Sequence, residues 1–185
     1  ERSVDLVREA KKKGLQVTCD VAVHHLLLTD DALMGFDSQY KVKPPLRTSK
    51  DVKALLKGLK DGTIDAIVSQ HTPHEIEFKN VEFEVAEYGM IGLQTAFAIA
   101  LRAGLSVETI VQKMAINPRK ILNVEVPVIA EGQKANLVVF DQDAEWIYDK
   151  FNNKSKSYNS PFLGQKLKGL ILLTYNNNKQ LIHKK

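Results

Sequence analysis

The sequence predicts an α/β fold, and three features of its first half support that prediction. An apolar run from Ala66 to Ser69 has polar residues on both sides, which is typical of a strand buried on both faces of a parallel sheet. A second strand is predicted from Leu15 to Val23, where β-branched residues are frequent. Segment 48–62 between them has a helical repeat. Strands that alternate with helices indicate a parallel sheet with crossover helices.

The helices are predicted from the spacing of apolar residues and from residues that favour helix ends. The clearest one begins at Thr48 or Ser49 and ends at Gly62, because its apolar positions recur three and four residues apart. Four more helices are expected: from the cap Ser3 to Gly14, from Tyr88 to Gly104, after the cap Ser106, and from Asn117.

The chain changes character near residue 127, and we therefore divide it into 1–126 and 127–185. The second part is predicted to be rich in β structure, with short strands at 136–140, around Trp146, and from Leu170 to Tyr175. Its tail is expected to fray beyond Ile182. Helical periodicity begins almost at the first residue, Glu1, which suggests an excerpt from a longer protein.

Composition restricts the possible classes of protein. The 185 residues are 44% hydrophobic, enough to bury a core. The net charge of +4 comes from scattered lysines and does not indicate a nucleic-acid-binding surface. A single cysteine, Cys19, excludes an internal disulfide and fits a reducing compartment. Because no apolar run approaches the roughly 20 residues of a membrane span, no membrane association is expected and the predicted location is the cytoplasm.

Polar residues follow both predicted strands where each strand ends. Gln70 and His74 come after the second strand, and His24 and His25 end the first. Parallel strands of an α/β fold carry their chemistry at their carboxyl ends. The histidine pair has two interpretations, metal ligands or partners in structural hydrogen bonds, and we favour the second because no third ligand is nearby.

Two loops are expected beside these residues. Segment 40–47 contains Pro44 and Pro45, which stiffen it and hold Lys43 in a fixed place. The acidic segment 75–87 lacks a helical repeat and is predicted to be a mobile covering loop. Both strand ends and the first loop should therefore lie on one rim.

The order of several motifs resembles the carboxyl-terminal half of a dihydroorotase, of the long-chain type within the amidohydrolase superfamily. The resemblance extends to about Asp141 and rests on the motifs VTCDVAVHHLLLT (17–29), KVKPPLRT (41–48), DGTID (61–65), QHTPH (70–74), GLQTAF (92–97) and GQKANLVVFD (132–141). It implies a partial TIM-type β/α barrel over 1–126, and a portion of a small β domain with its tail over 127–185. It also implies interconversion of carbamoyl aspartate and dihydroorotate in pyrimidine biosynthesis.

The resemblance assigns candidate roles one residue at a time. Gln70 stands where the family has a catalytic aspartate that binds zinc. His74 matches a histidine that contacts the substrate, and Lys43 replaces an asparagine that does so. Tyr88 and Gly89 match positions where the backbone touches the substrate. A neutral amide cannot act as a base, so Gln70 is expected to be non-functional in catalysis.

The resemblance also sets expectations for the cofactor and the partners. The family uses zinc, but ligands such as its His-x-His pair belong to upstream segments, so this chain alone is expected to bind none and to be inactive. The second hypothesis is a non-catalytic homologue that assembles with aspartate transcarbamoylase or with itself. The third is a hydantoinase or allantoinase, to which the sequence motifs at 44–47 and 71–74 are less similar.

Overall fold

The first half of the molecule contains two parallel strands with helices beside them. In the computed structural model, which describes residues 1–176 and 179–182, the elements are α1 (Arg2–Lys12), β1 (Asp20–Ala22), α2 (Ser49–Lys60) and β2 (Ala66–Val68). The two strands pair in register, Asp20 with Ala66 and Ala22 with Val68. The α/β class predicted from the sequence is confirmed in this region.

Helix α2 has the ends that its sequence predicts. The Thr48 side chain accepts a hydrogen bond from the backbone N–H of Asp51 at 3.3 Å, which satisfies a donor that the first turn leaves free. The helix stops at Lys60, and Gly62 then adopts a φ of 81°, which suits glycine. Helix α1, by contrast, begins at Arg2 rather than after a Ser3 cap, and no side chain caps it.

Asp65, the residue before β2, links this strand to two neighbouring segments. Its carboxylate accepts hydrogen bonds from Lys11 Nζ at 2.7 Å and from the backbone N–H of Cys19 at 2.9 Å. Lys11 belongs to α1, and Cys19 immediately precedes β1. These contacts support the register of the two strands, so their carboxyl ends lie at the same edge.

Strand β1 is shorter than the sequence predicts. Only Asp20–Ala22 form the strand, and the chain then turns into the 3-10 helix Val23–Leu26, which contains both adjacent histidines. Val23 and Leu26 are buried in the core, and this burial favours the turn over further extension. The histidines therefore lie on a tight turn just beyond the strand.

The chain continues with helices and then with an antiparallel sheet. The helices are α3 (Ala96–Arg102), α4 (Val107–Val111) followed by a π-helical turn (Gln112–Ile116), and α5 (Asn117–Ile121). The strands are β3 (Leu137–Ile147), β4 (Lys166–Asn176) and β5 (Lys179–Ile182), in that spatial order. Strand β5 was not predicted, and the tail expected to fray beyond Ile182 lies outside the described residues.

The antiparallel sheet packs directly on the helical half. At Gly169 of β4, an added Cβ would lie 2.5 Å from Leu101 Cδ1 of α3, so the close contact depends on glycine. Ile67, Ile99 and Tyr148 belong to one buried cluster, and residues before and after position 127 therefore share a core. Within the described part of the chain, every helix is too short or too polar to cross a membrane.

Candidate functional site

The candidate site lies at the edge where β1 and β2 both end. Ala22 pairs with Val68, and His24 and Gln70 each stand two residues beyond that pair. We call this edge the rim, and it comprises segments 23–26, 41–47, 69–74 and 88–90. Parallel pairing brings the first and third of these segments together although they are distant in sequence.

Gln70 lies against the loop that contains Pro44 and Pro45. Its Nε2 donates a hydrogen bond to the carbonyl oxygen of Lys43 at 3.0 Å, while its Oε1 is buried without a hydrogen-bond partner. The residue has a φ of 45°, in the left-handed region that is uncommon for residues other than glycine, asparagine and aspartate. The backbone therefore adopts an unusual conformation at the position where the resemblance implies an aspartate.

Lys43, Tyr88 and His74 continue the same set of contacts. Lys43 Nζ lies 5.8 Å from the centre of the Tyr88 ring, within the range of a cation–π interaction. His74 Nε2 donates a hydrogen bond to the carbonyl oxygen of Tyr88 at 3.0 Å. The structure thus joins Gln70, Lys43, Tyr88 and His74 in one continuous path of contacts, although they come from three separate loops.

Gly89, the fifth predicted residue, allows two rim segments to approach closely. Its φ is 125°, and an added Cβ would lie 2.6 Å from Thr72 Cβ. Its N–H donates to the carbonyl oxygen of Lys41 at 2.8 Å, and its own carbonyl accepts a hydrogen bond from Lys79 Nζ at 3.1 Å. Both backbone polar groups of this glycine are therefore already bonded within the chain.

Two buried lysines attach the acidic segment 75–87 to the rim. Lys79 Nζ of this segment donates to the carbonyl oxygens of Glu87 at 2.7 Å and of Gly89, on the rim, at 3.1 Å, and Lys41 Nζ of the rim donates to that of Glu84 at 2.8 Å. Burial, and then the positive charge of Lys41, lower the pKa of Lys79 to about 8. These hydrogen bonds fasten segment 75–87 to the rim through ammonium groups whose role the sequence pattern does not reveal, and the mobility of the segment stays a prediction.

The two adjacent histidines have different environments. His25 Nε2 donates a hydrogen bond to the carbonyl oxygen of Pro44 at 3.0 Å, which is the structural role that we predicted for both. That prediction is wrong for His24, whose ring is 2% exposed and has no hydrogen-bond partner at either nitrogen. Burial, and then the neighbouring His25, lower the pKa of His24 to about 3. The ring is therefore neutral and carries a free lone pair, the state in which imidazole binds metals.

The donors among the residues that the structure describes do not by themselves make a zinc site. Catalytic zinc takes three protein ligands and keeps a fourth position open. Residues 1–176 and 179–182 contain no group of three or more His, Cys, Asp or Glu side chains that could hold a metal ion. His24 fits as one donor, whereas the Gln70 amide oxygen is at best a weak one.

Sequence reasoning missed Asn159 and the bonding state of His24, both of which belong to the rim or contact it. The sequence shows two adjacent histidines at the end of a strand and so drew attention to His24. It does not show which of the two rings forms a hydrogen bond. Asn159 carried no signal, because it lies 85 residues from His74, whose backbone N–H donates to the Asn159 side chain. Only the packing of the loop between β3 and β4 against the rim brings these two residues together.

Sequence comparisons identify close relatives with a common name. Over its whole length the chain is 42% identical to a dihydroorotase of Acetivibrio thermocellus, of which it covers 45%. It is 43% identical to a dihydroorotase of Geotalea daltonii, where the match covers 99% of the chain and 44% of the relative. The resemblance stated from the motifs is confirmed, and the chain spans less than half the length of these relatives.

Comparison with solved structures agrees with this result at the level of the fold. The L-hydantoinase of Arthrobacter aurescens superimposes with a TM-score of 0.88 at 28% identity, over 98% of this chain and 42% of that protein. The sequence model of the amidohydrolase family matches residues 4–174, which is nearly the entire chain and includes every segment of the rim. On this evidence the chain belongs to the amidohydrolase family.

Proposed function

We propose that this chain is the carboxyl-terminal part of a dihydroorotase-like cyclic amidohydrolase, which interconverts carbamoyl aspartate and dihydroorotate in pyrimidine biosynthesis. The observation that carries the proposal is the path of contacts from Gln70 through Lys43 and Tyr88 to His74. These are the positions at which the motifs resemble a dihydroorotase site. The 42% identity to a dihydroorotase over the whole chain supports the choice of reaction.

The proposal includes the architecture and location of the protein. Residues 1–126 would form the last strands and helices of a TIM-type β/α barrel, and 127–185 would form part of a small β domain with its tail. The parallel pair β1 and β2, separated in sequence by α2, supports this reading. The remaining strands would come from another part of the polypeptide, and the cytoplasm would be its compartment.

The charges at the rim suit the proposed substrates. Carbamoyl aspartate and dihydroorotate both carry carboxylate groups. Lys43 is exposed, and its ammonium group lies over the Tyr88 ring, so it is held at the rim but open to an anionic ligand. We assign carboxylate binding to Lys43, and we place His74 and the Tyr88–Gly89 backbone around the rest of the ligand.

Gln70 determines how active the protein should be. An aspartate can bind a metal with a negative charge and accept a proton, whereas an amide does neither well near neutral pH. General-base catalysis typically contributes about 10²–10⁴-fold to a rate. We therefore expect weak hydrolysis at most. This expectation gives weight to the second candidate function, a non-catalytic homologue that assembles with aspartate transcarbamoylase or with itself.

Zinc belongs to the proposal for the complete protein rather than for this chain alone. In hydrolases of this kind a bound zinc ion polarises the carbonyl group that is attacked. His24 would supply one donor, because its two nitrogens are buried without partners. The other donors would come from parts of the polypeptide outside the described residues.

The test uses the complete gene product that carries this chain. Its zinc content would be measured by mass spectrometry, and turnover would be assayed with dihydroorotate, carbamoyl aspartate, hydantoin and allantoin. Slow turnover confined to the first two compounds is the expected result. Bound zinc without any turnover would favour the non-catalytic homologue. Activity on hydantoin or allantoin with none on dihydroorotate would refute the proposed substrate. It would favour the hydantoinase or allantoinase hypothesis, in line with the structural similarity to L-hydantoinase.

A further inference from the structure

Two rim segments run side by side, and one side chain from a distant loop bridges them. His71 and Met90 form a parallel bridge, and the N–H of Thr72 donates to the carbonyl oxygen of Met90 at 2.9 Å. Segment 71–74 leads to His74, and segment 88–91 begins with Tyr88 and Gly89. The relative position of the two segments therefore determines how His74 faces the Tyr88–Gly89 backbone.

Asn159 lies across both segments and uses both ends of its side-chain amide. Its Oδ1 accepts a hydrogen bond from the N–H of His74 at 3.2 Å. Its Nδ2 donates to the carbonyl oxygens of Thr72 at 2.9 Å and Gly89 at 3.3 Å. Its own carbonyl oxygen accepts a hydrogen bond from the N–H of Ile91 at 2.9 Å. One residue thus contacts the backbone of both segments at four points.

This bridge is buried and depends on the amide group. Asn159 is 4% exposed, so water does not readily replace its hydrogen bonds. The carboxylate of an aspartate has nearly the same shape and would still accept from His74. It would present only acceptor oxygens to the Thr72 and Gly89 carbonyls, however, and it would bring an unpaired charge into a buried place.

We infer that Asn159 is a positioning residue for the rim, through which the loop between β3 and β4 sets the distance between His74 and the Tyr88–Gly89 backbone. This inference rests on the proposed function. It assigns to the carboxyl-terminal part of the chain a role in shaping the substrate site that neither the motifs nor the family match specifies.

The same loop contains a matched control, Asn153. Its Oδ1 accepts from the Tyr148 hydroxyl at 3.0 Å, and its Nδ2 donates to the carbonyl oxygens of Ser155 and Ser157 at 3.1 and 2.8 Å. All of these partners lie within 148–157, away from the rim. The substitution Asn153→Asp therefore replaces an amide that has a similar set of hydrogen bonds by a carboxylate, as Asn159→Asp does. It removes no contact with segments 71–74 or 88–91.

The test compares Asn159→Asp with Asn153→Asp in the complete gene product by two measurements. The first is hydrogen–deuterium exchange of peptides that cover 71–92, which needs no catalytic activity. The second is KM and kcat for dihydroorotate. We expect Asn159→Asp to accelerate exchange in these peptides by about tenfold or more and to raise KM by about tenfold, with a smaller change in kcat. Asn153→Asp should leave both quantities within about twofold of the wild type.

The possible outcomes separate the two proposals. Equal exchange at 71–92 in the two variants, or an unchanged KM in an active Asn159→Asp variant, would overturn the positioning role. If Asn159→Asp does not fold, Asn159→Ser, which keeps a small hydrogen-bonding side chain, would be compared with Asn153→Ser by the same criteria. If the wild type does not turn over dihydroorotate, the proposed function fails, and the exchange measurement alone decides whether Asn159 holds the two segments together.

Discussion

Replacement of His24 should reduce the sensitivity of the protein to acid. The folded pKa of His24 is about 3, lowered first by burial and then by His25, whereas an unfolded histidine titrates near about 6.5. Between these values the unfolded chain binds one more proton than the folded chain. The free energy of unfolding is therefore unaffected by this group above about pH 6.5, and it falls as the pH decreases toward 3.

The size of the effect follows from the two pKa values. One pKa unit corresponds to about 1.4 kcal/mol, so full protonation of the unfolded histidine at pH 3 is worth about 5 kcal/mol. Between pH 7.5 and pH 4.5 the contribution is about 2.5–3 kcal/mol. Because the side chain is 2% exposed, solvent screening reduces this value little. A loss of this size is a large fraction of the roughly 5–15 kcal/mol that stabilises a typical protein.

The assay is urea denaturation at pH 7.5 and pH 4.5 in a buffer that contains a chelator, so that no metal competes for the imidazole. We expect His24→Phe to keep most of its stability at pH 4.5. Between pH 7.5 and pH 4.5 the urea midpoint of the wild type should fall by roughly 1–2 M more than the midpoint of the variant. Met34→Phe is a matched control, because residue 34 is 81% exposed and should retain the wild-type acid dependence. A variant that loses stability with acid as steeply as the wild type would refute the assignment to His24.

Three further predictions concern the rim and the core. Gln70→Asp in the complete gene product should raise zinc occupancy and dihydroorotate turnover, because aspartate tolerates the φ of 45° and supplies a charged ligand. Unchanged zinc occupancy would argue against the role assigned to position 70. Gly89→Ala should cost about 2 kcal/mol or more in unfolding free energy, because its Cβ would lie 2.6 Å from Thr72 Cβ at a φ of 125°. Gly35→Ala, where a Cβ would have no neighbour within 4 Å, should change stability by less than about 0.5 kcal/mol. Burial raises the pKa of Tyr148 to about 12, so ultraviolet titration should lose its highest-pH phenolate transition in Tyr148→Phe, and an unchanged titration curve would contradict this.

Local sequence signals predicted the elements that depend on near neighbours. Helix α2 was expected with Thr48 at its start and Gly62 after its end, and both residues act as predicted because caps and positive-φ turns are decided within a few residues. Strand β2 was expected from Ala66 to Ser69 and spans Ala66–Val68. Long-range pairing was less predictable. Strand β5 was missed because its only pairing partner in the described chain is β4.

In the candidate site, too, some features could be predicted from the sequence and others depend on long-range contacts. The order of strands and loops was enough to predict that Gln70, His74 and Lys43 would lie on one rim, and the family resemblance alone added Tyr88 and Gly89 to the site. The same order did not show that Lys79 and Lys41 hold the acidic segment, nor that His25 is bonded while His24 is not. Those distinctions depend on which backbone carbonyls come within about 3 Å of each side chain, and that depends on the packing of the whole chain.

The sequence by itself determined the alternation of strands and helices, the family resemblance, and the chemical identity of the groups at the rim, because these follow from residue type and local periodicity. The tertiary structure alone decided how those groups are bonded. The buried, unpartnered state of His24 and the bridge made by Asn159 arise from contacts between residues far apart in the chain, and such contacts form only when burial of the shared core brings separate loops together.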